Sequence, residues 1–263
     1  MKIVYFGFDL FYDCFEALVK DGHDIVKIFT CPVDGEYEFN TRIYAAARRL
    51  GIDITDKKPG RCELTKLVDD GCELMISAGY YYKIPVIGGV MQVNIHPALL
   101  PVGRGPWPQP VAILKAMKKF GVTLHKLADG FDSGDIVLQQ SFDVSKNENL
   151  ETLTEKCVLH AVSALRKFMR KPLYYWSYAV SQPSGEYWRE PTEEEMTFRP
   201  CDGFEKIDRI TRAFYGYRCF MLCGGVKTVI KRAKCIKNSQ TGAVSSQFVI
   251  DIEGGRLIIL NLA

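Results

Sequence analysis

Four short apolar runs, separated by amphipathic stretches and polar loops, constrain this chain more than any other feature. They are Ile3 to Phe6, Ile25 to Phe29, Leu74 to Ser77 and Val93 to Ile95, and they show little polar–apolar alternation. A strand that is apolar on both sides must be covered on both sides, which is the condition of a parallel sheet flanked by helices. Between the first two runs, Phe11, Cys14, Phe15, Leu18 and Val19 recur at helical spacing. Ile43 to Leu50 read as another helix, stopped by Gly51.

The fold class expected from this rhythm is α/β, with a Rossmann-like, mostly parallel sheet and helices on both faces. Further strands are predicted over Val122 to Leu127 and Ile136 to Phe142, on either side of a polar loop, Ala128 to Asp135. A helix is predicted over Leu150 to Arg170, its Leu153, Cys157, Ala161, Ala164, Leu165 and Phe168 on one face and Pro172 closing it. Residues 181–203 are rich in Pro, Ser, Gly and Glu and read as a linker region. After it come a helix from Gly203 to Phe214 and strands at Val226 to Ile236, Val244 to Ile252 and Arg256 to Leu262, the last two joined by Glu253-Gly254-Gly255. The expected division of the 263 residues is therefore 1–180 as the main domain, 181–203 as the linker, and 204–263 as a small α+β module.

Several classes of function are excluded or disfavoured. Gly7 is followed by Phe-Asp-Leu-Phe-Tyr, so the glycine fingerprint of a dinucleotide site is absent. The nine cysteines are odd in number and none forms a CxxC pair, which favours reduced thiols over zinc; no metal is expected. The opening MKIVYFG is too short and too soon interrupted by Asp9 and Asp13 for a signal peptide, and no apolar stretch reaches membrane-spanning length. These features point to the cytoplasm and to no membrane partner. A net charge of +3 imposes no dominant electrostatic partner.

The chemistry concentrates in Val93-Asn94-Ile95-His96-Pro97-Ala98-Leu99-Leu100-Pro101, with Arg104-Gly105-Pro106 just after it. In an extended strand, Asn94 and His96 project to the same face. The prolines then take the chain out of the strand. A polar pair at the carboxyl end of a parallel strand lies where open α/β sheets bind ligands. Later comes Asp129-Gly130-Phe131-Asp132-Ser133-Gly134-Asp135, a loop able to carry a carboxylate toward His96.

The segment NIHPALLP with RGP after it, and then GVTLHKLADGFDSGDIV, resembles the signature of the folate-dependent formyltransferases. That family includes enzymes that formylate glycinamide ribonucleotide, methionyl-tRNA and nucleotide-linked amino sugars. The similarity runs from the first strand to about residue 143. It implies 10-formyltetrahydrofolate as co-substrate and Asn94, His96 and Asp132 as catalytic residues. It also implies a folate pocket lined by Gly79, Tyr80, Tyr81, Tyr82 and Ile84, and by Leu127, Ala128, Asp129 and Gly130. Arg104, Gly105, Pro106 and Trp107 are the candidates for the acceptor side, although Trp107-Pro108 equally reads as a helix start.

In such chemistry an uncharged amine attacks the formyl carbon. Asn94 and a protonated His96 suit the developing oxyanion, while Asp132 holds the imidazole and raises its pKa, or takes the amine proton through water. His23, His125 and His160 read as structural. The acceptor implied by a chain of this length, with what resembles a reduced OB-like tail, is a small-molecule amine, a dTDP- or UDP-linked amino sugar. Methionyl-tRNA is the runner-up, followed by hydroxyornithine and by water, as in a formyltetrahydrofolate hydrolase. A non-enzymatic nucleic-acid-binding module centred on the tail is a rival of another class; the run Lys227, Lys231, Arg232, Lys234, Lys237 is its sole support and reads more simply as a solvated strand face. The tail is also a candidate homodimerisation element.

Overall fold

The computed structural model describes residues 1–238 and 248–262. The chain opens with β1 (Lys2–Gly7), α1 (Tyr12–Lys20), β2 (Asp24–Phe29), α2 (Thr41–Leu50), β3 (Ile54–Thr55) and α3 (Arg61–Asp69). β4 (Leu74–Ala78), β5 (Met91–His96), β6 (Val102–Arg104), α4 (Pro108–Leu114), β7 (Lys119–Lys126) and β8 (Ile136–Asp143) follow. Then come α5 (Leu150–Arg170), α6 (Pro172–Ser177), β9 (Glu186–Tyr187), β10 (Thr197–Phe198) and α7 (Phe204–Ala213). The described chain ends with β11 (Cys219–Cys223), β12 (Val226–Lys237), β13 (Phe248–Ile252) and β14 (Gly255–Leu262).

Two compact units result. The first comprises residues 1–106, 121–142 and 156–188; the second comprises 107–120, 143–155 and 189–263. Neither unit is one continuous stretch, because α4 and the start of α5 pack with the later residues.

The first unit holds a seven-stranded sheet of order β3-β2-β1-β4-β5-β7-β8. Pairings from β3 to β5 are parallel, and β5 meets β7 antiparallel. The apolar runs became its strands because both of their faces are covered: Ile3, Val4, Tyr5 and Phe6 are all fully buried. The predicted face of α5 is likewise buried at Leu153, Cys157, Ala161, Ala164, Leu165 and Phe168. Burying these six side chains removes enough apolar surface to stabilise the helix by several kcal/mol, at about 1.5–3 kcal/mol for a large one. Pro172 does not simply end that helix. It begins α6, where its missing N–H and fixed φ are tolerated.

The second unit contains a five-stranded sheet of order β10-β11-β12-β14-β13. Three strands were expected there. The other two are β10, from the stretch read as linker, and β11, whose Cys-Phe-Met-Leu-Cys run is too short for a clear period. Glu253-Gly254 form the turn that sets Ile252 opposite Gly255. The predicted strand over Val244 to Ile252 is seen as Phe248–Ile252, and residues 244–247 lie outside the described residues. α7 buries Ile207, Ile210, Thr211 and Ala213.

All nine cysteines are free thiols, six of them buried. Among the described residues, no helix is long and apolar enough to cross a membrane, and no cluster of His, Cys, Asp and Glu could hold a metal ion.

Candidate active site

β5 ends on Asn94-Ile95-His96, and its antiparallel neighbour β7 sets Asn94 directly opposite His125 and His96 opposite Thr123. Cross-strand partners share a face, so the register brings four polar side chains to one side of the sheet. Thr123 and His96 are nearly solvent-free. Thr123 Oγ1 donates to the Ala98 carbonyl at 2.7 Å and accepts from the Leu100 amide at 3.1 Å, which holds the turn after His96 against β7. Gln139 of β8 adds bonds to Thr123 Oγ1 and to the Leu100 carbonyl, at 2.9 and 2.8 Å.

Asp132 arrives on the loop between β7 and β8. Its φ of +51° is unusual for a residue with a side chain. Its Oδ2 accepts the Gly105 amide at 3.0 Å. Three nitrogens face its Oδ1: Asn94 Nδ2 at 3.4 Å, His96 Nδ1 at 3.4 Å and His125 Nε2 at 3.5 Å. Asn94 Nδ2 also lies 3.1 Å from His125 Nε2. The three residues singled out from the sequence are therefore together, and His125 is with them.

The reading of His125 as merely structural is thus corrected. Its Nδ1 lies 2.8 Å from the Lys126 carbonyl, which can only accept, so the ring proton sits there and leaves Nε2 free to accept from Asn94. His125 thereby fixes which way the Asn94 amide points. Only the strand pairing could reveal this, because the two residues are 31 positions apart.

Burial pushes the His96 imidazole below its ordinary value of 6.5, aided by His125 and opposed by Asp132 and the Gly103 carbonyl. Asp132 raises the imidazole, as expected of it, while desolvation lowers it by more. Burial alone would raise Asp132, but His96, His125 and the Gly105 amide overcome it and bring it from 3.8 to about 2. His96 Nε2 donates to the Gly103 carbonyl at 2.7 Å, so the neutral ring presents the lone pair of Nδ1 to Asp132.

The loop carrying Arg104 and Gly105 leaves no room for larger residues. Gly105 has φ +125°, and a Cβ there would stand 2.1 Å from the Trp188 carbonyl oxygen. Gly105→Ala is expected to destabilise the protein by about 1–3 kcal/mol from the backbone conformation alone, and to pull the amide off Asp132. Chemical denaturation and turnover measured together will check this; an unchanged midpoint with unchanged rate would contradict it.

The remaining site candidates are distributed as follows. Gly79 has φ +72° at the end of β4. Tyr80 packs edge-on against Phe6 and Tyr82, at 5.5 and 5.6 Å. Tyr81 stacks obliquely on Phe8 and bonds Glu38. Tyr80, the buried Ile84 and Leu127 belong to one apolar cluster with Val4, Phe6, Phe29 and Met75. The structure thus brings the two predicted folate segments together at Tyr80, Ile84 and Leu127. Ala128 is half-buried, while Asp129 and Gly130 are exposed. Arg104 is engaged with Gln182 and the Pro183 carbonyl, and Pro106 is exposed. Trp107 belongs to the second unit, where it meets Phe214 and Tyr217 edge-on at 5.9 and 4.9 Å.

Residues 62–167, which contain Asn94, His96, His125 and Asp132, match the family described as formyl transferase. The match covers about two fifths of the chain. A methionyl-tRNA formyltransferase from Fervidobacterium nodosum is 27% identical over 146 residues, 52% of this chain and 45% of that protein. The chain spans about half the length of the first curated relatives it matches, between 45% and 58%. Among solved structures, the N-formyltransferase of Helicobacter canadensis, in complex with folinic acid and dTDP-3-aminofucose, superposes with a TM-score of 0.70 at 16% identity. That match covers 98% of each chain. HypX of Aquifex aeolicus in complex with tetrahydrofolic acid gives a TM-score of 0.71 at 18% identity, covering all of this chain and 44% of that one. At such identities the likeness establishes the fold. The residues that match this family hold the polar cluster at the carboxyl end of β5.

Proposed function

We infer that the protein moves a formyl group from 10-formyltetrahydrofolate to a primary amine, and that the amine belongs to a nucleotide-linked amino sugar. The observation that carries the reaction is the convergence of Asn94, His96 and His125 on one oxygen of Asp132 within the residues that match the formyl transferase family. The residues also suit the carrier. Tyr80, Ile84 and Leu127 share an apolar cluster, and the buried Tyr80 hydroxyl has no hydrogen-bond partner among the described residues. A pterin ring, flat and rich in nitrogen and oxygen, satisfies both features.

The carrier supplies the formyl carbon, and negative charge develops on the formyl oxygen as the amine attacks. Asn94 has two amide protons, and the contact to Asp132 at 3.4 Å is the weaker of its two. That proton is the one to turn toward the oxyanion, while the bond to His125 keeps the amide aligned. Neutral His96 has its Nδ1 lone pair beside Asp132. A proton delivered there from the attacking amine yields an imidazolium paired with a carboxylate; as the tetrahedral intermediate collapses, the bond from the formyl carbon to N10 breaks and His96 passes that proton to N10, releasing tetrahydrofolate and the formylated amine.

This assignment fixes the expected pH dependence. The reaction uses His96 as a neutral base, and burial lowers its imidazole below the ordinary 6.5. The NMR shifts of its ring nitrogens across pH in the free protein will check this, separately from the ionisation of the acceptor amine. A midpoint above 6.5 would contradict the neutral resting state.

The sugar nucleotide is preferred for the acceptor because the basic run of the tail is largely neutralised. Lys227 pairs with Glu193 at 2.7 Å, Lys237 with Glu205 at 2.8 Å, and Arg232 with Glu151. Paired cations release few counterions on binding a phosphate backbone. The likeness to the Helicobacter canadensis enzyme also extends over nearly the whole of both chains. Methionyl-tRNA remains the second reading, favoured by the Fervidobacterium relative. A cytoplasmic location is proposed on the nine free thiols.

The test is transfer from 10-formyltetrahydrofolate to a panel of dTDP- and UDP-amino sugars, initiator methionyl-tRNA and hydroxyornithine. Turnover of an amino sugar that is insensitive to salt supports the preferred acceptor. Transfer only to methionyl-tRNA, steeply weakened by salt, supports the second. Folate release without any acceptor would instead indicate a hydrolase.

A further inference from the structure

The stretch read from the sequence as a linker contains a side chain aimed at the catalytic loop. Ile136 and Val180 form an isolated antiparallel bridge, with both of their amides bonded, at 2.7 and 2.8 Å. Continued two residues in each direction, that register sets Gln182 beside Gly134. The Gln182 amide is fully engaged there. Its Oε1 accepts from Arg104 Nε at 3.1 Å and Nη2 at 2.8 Å. Its Nε2 donates to the carbonyls of Asp132, at 3.0 Å, and of Gly134, at 2.5 Å.

No other orientation of the amide is possible, because a guanidinium only donates and the two carbonyls only accept. Arg104 is further fixed by a bond from Nη2 to the Pro183 carbonyl at 3.1 Å. Its chain neighbour, Gly105, donates to the Asp132 carboxylate. Asp132 is thus held at its carboxylate through Gly105 and at its carbonyl through Gln182. A left-handed φ on a residue with a side chain costs about 1–3 kcal/mol and persists only where the surroundings over-determine it. These are the contacts that do so.

We propose that Gln182 is a positioning residue: it ties the Arg104–Gly105 loop to the Asp132–Gly134 loop and so sets the distance between the Asp132 carboxylate and His96. This rests on the formyl-transfer reading only for its effect on rate. The geometric claim stands apart from it.

Gln182→Glu is the sharpest test. It keeps the size and the acceptor toward Arg104 but sets a carboxylate against two carbonyls that it cannot bond. Gln182→Ala, which removes both halves of the tie, guards against an effect peculiar to the new charge. In both variants kcat for formyl transfer is expected to fall by roughly 10- to 100-fold, the scale of a small misplacement in a catalytic group, with KM for the folate little changed.

The readout that a merely structural role would not move is the titration of His96, followed by the NMR shifts of its ring nitrogens. The titratable groups facing that ring are Asp132, from the loop, and His125, from β7. If Gln182 holds the carboxylate in place, the His96 titration moves to lower pH in both variants, toward its position in Asp132→Asn. An unmoved titration in both variants would overturn the proposal, whatever the wild type does in the transfer assay. Absence of transfer by the wild type would overturn the proposed reaction and leave the titration result to decide the clamp. A wild type that transfers, with variants whose kcat stays within about twofold, would count against the clamp alone.

Discussion

Asp132→Asn is expected to lower kcat for formyl transfer by roughly 100- to 10,000-fold, the range for loss of a general acid–base partner, while the protein stays folded. The amide keeps the size and still accepts from Gly105 through its oxygen. It cannot pair with a protonated His96. A second signature accompanies the loss of rate. The carboxyl titrates at about 2 in the folded protein instead of 3.8. A depressed folded value means stability that is present above the unfolded value and lost as pH falls through the folded one. The stability that this depression represents therefore declines as pH falls between about pH 4 and pH 2. Hydrogen exchange at the amides of β5 and β7 will read it: the gap between wild type and Asp132→Asn closes over that window. A rate near that of wild type, or a gap independent of pH, would remove Asp132 from its proposed role.

Asn94→Ala is the second large effect. It deletes the donor assigned to the oxyanion, and one such donor is worth roughly 100- to 1,000-fold in kcat. It also leaves His125 Nε2 without the amide at 3.1 Å. KM is expected to change far less than kcat, because the interaction grows in strength only as charge develops. Steady-state kinetics on an accepted amine will measure the split. A variant that loses KM but keeps kcat would make Asn94 a binding residue, and the oxyanion assignment would fall.

Much of the site lies in local sequence. Asn94 and His96 are two residues apart on one strand, and a two-residue period sends both side chains to one face whatever surrounds them. The loop of Asp132 is marked by its own glycines and carboxylates. His125 reads as structural because it sits in an apolar strand with no partner motif nearby. Its meaning arises from the antiparallel register of β5 and β7. Gln182 was hidden for a similar reason. It falls in a stretch whose composition reads as a linker, and its partners are about 50 and 78 residues away. In the tail, β10 and β11 are two and five residues long, too short to show a period in the sequence.

Local sequence suffices for the sheet-forming runs, the buried face of α5, the strand end that carries Asn94 and His96, and the loop that carries Asp132. Each depends on spacing along the chain, and the backbone geometry of one element converts spacing into direction. Tertiary structure alone decided that the carboxylate reaches those side chains, that His125 orients Asn94, and that Gln182 joins two loops. It also decided that burial lowers the His96 imidazole in spite of the carboxylate beside it. Whether burial outweighs a neighbouring carboxylate is a balance between desolvation and attraction at about 3.4 Å. Neither distance nor dielectric is written in the order of the residues.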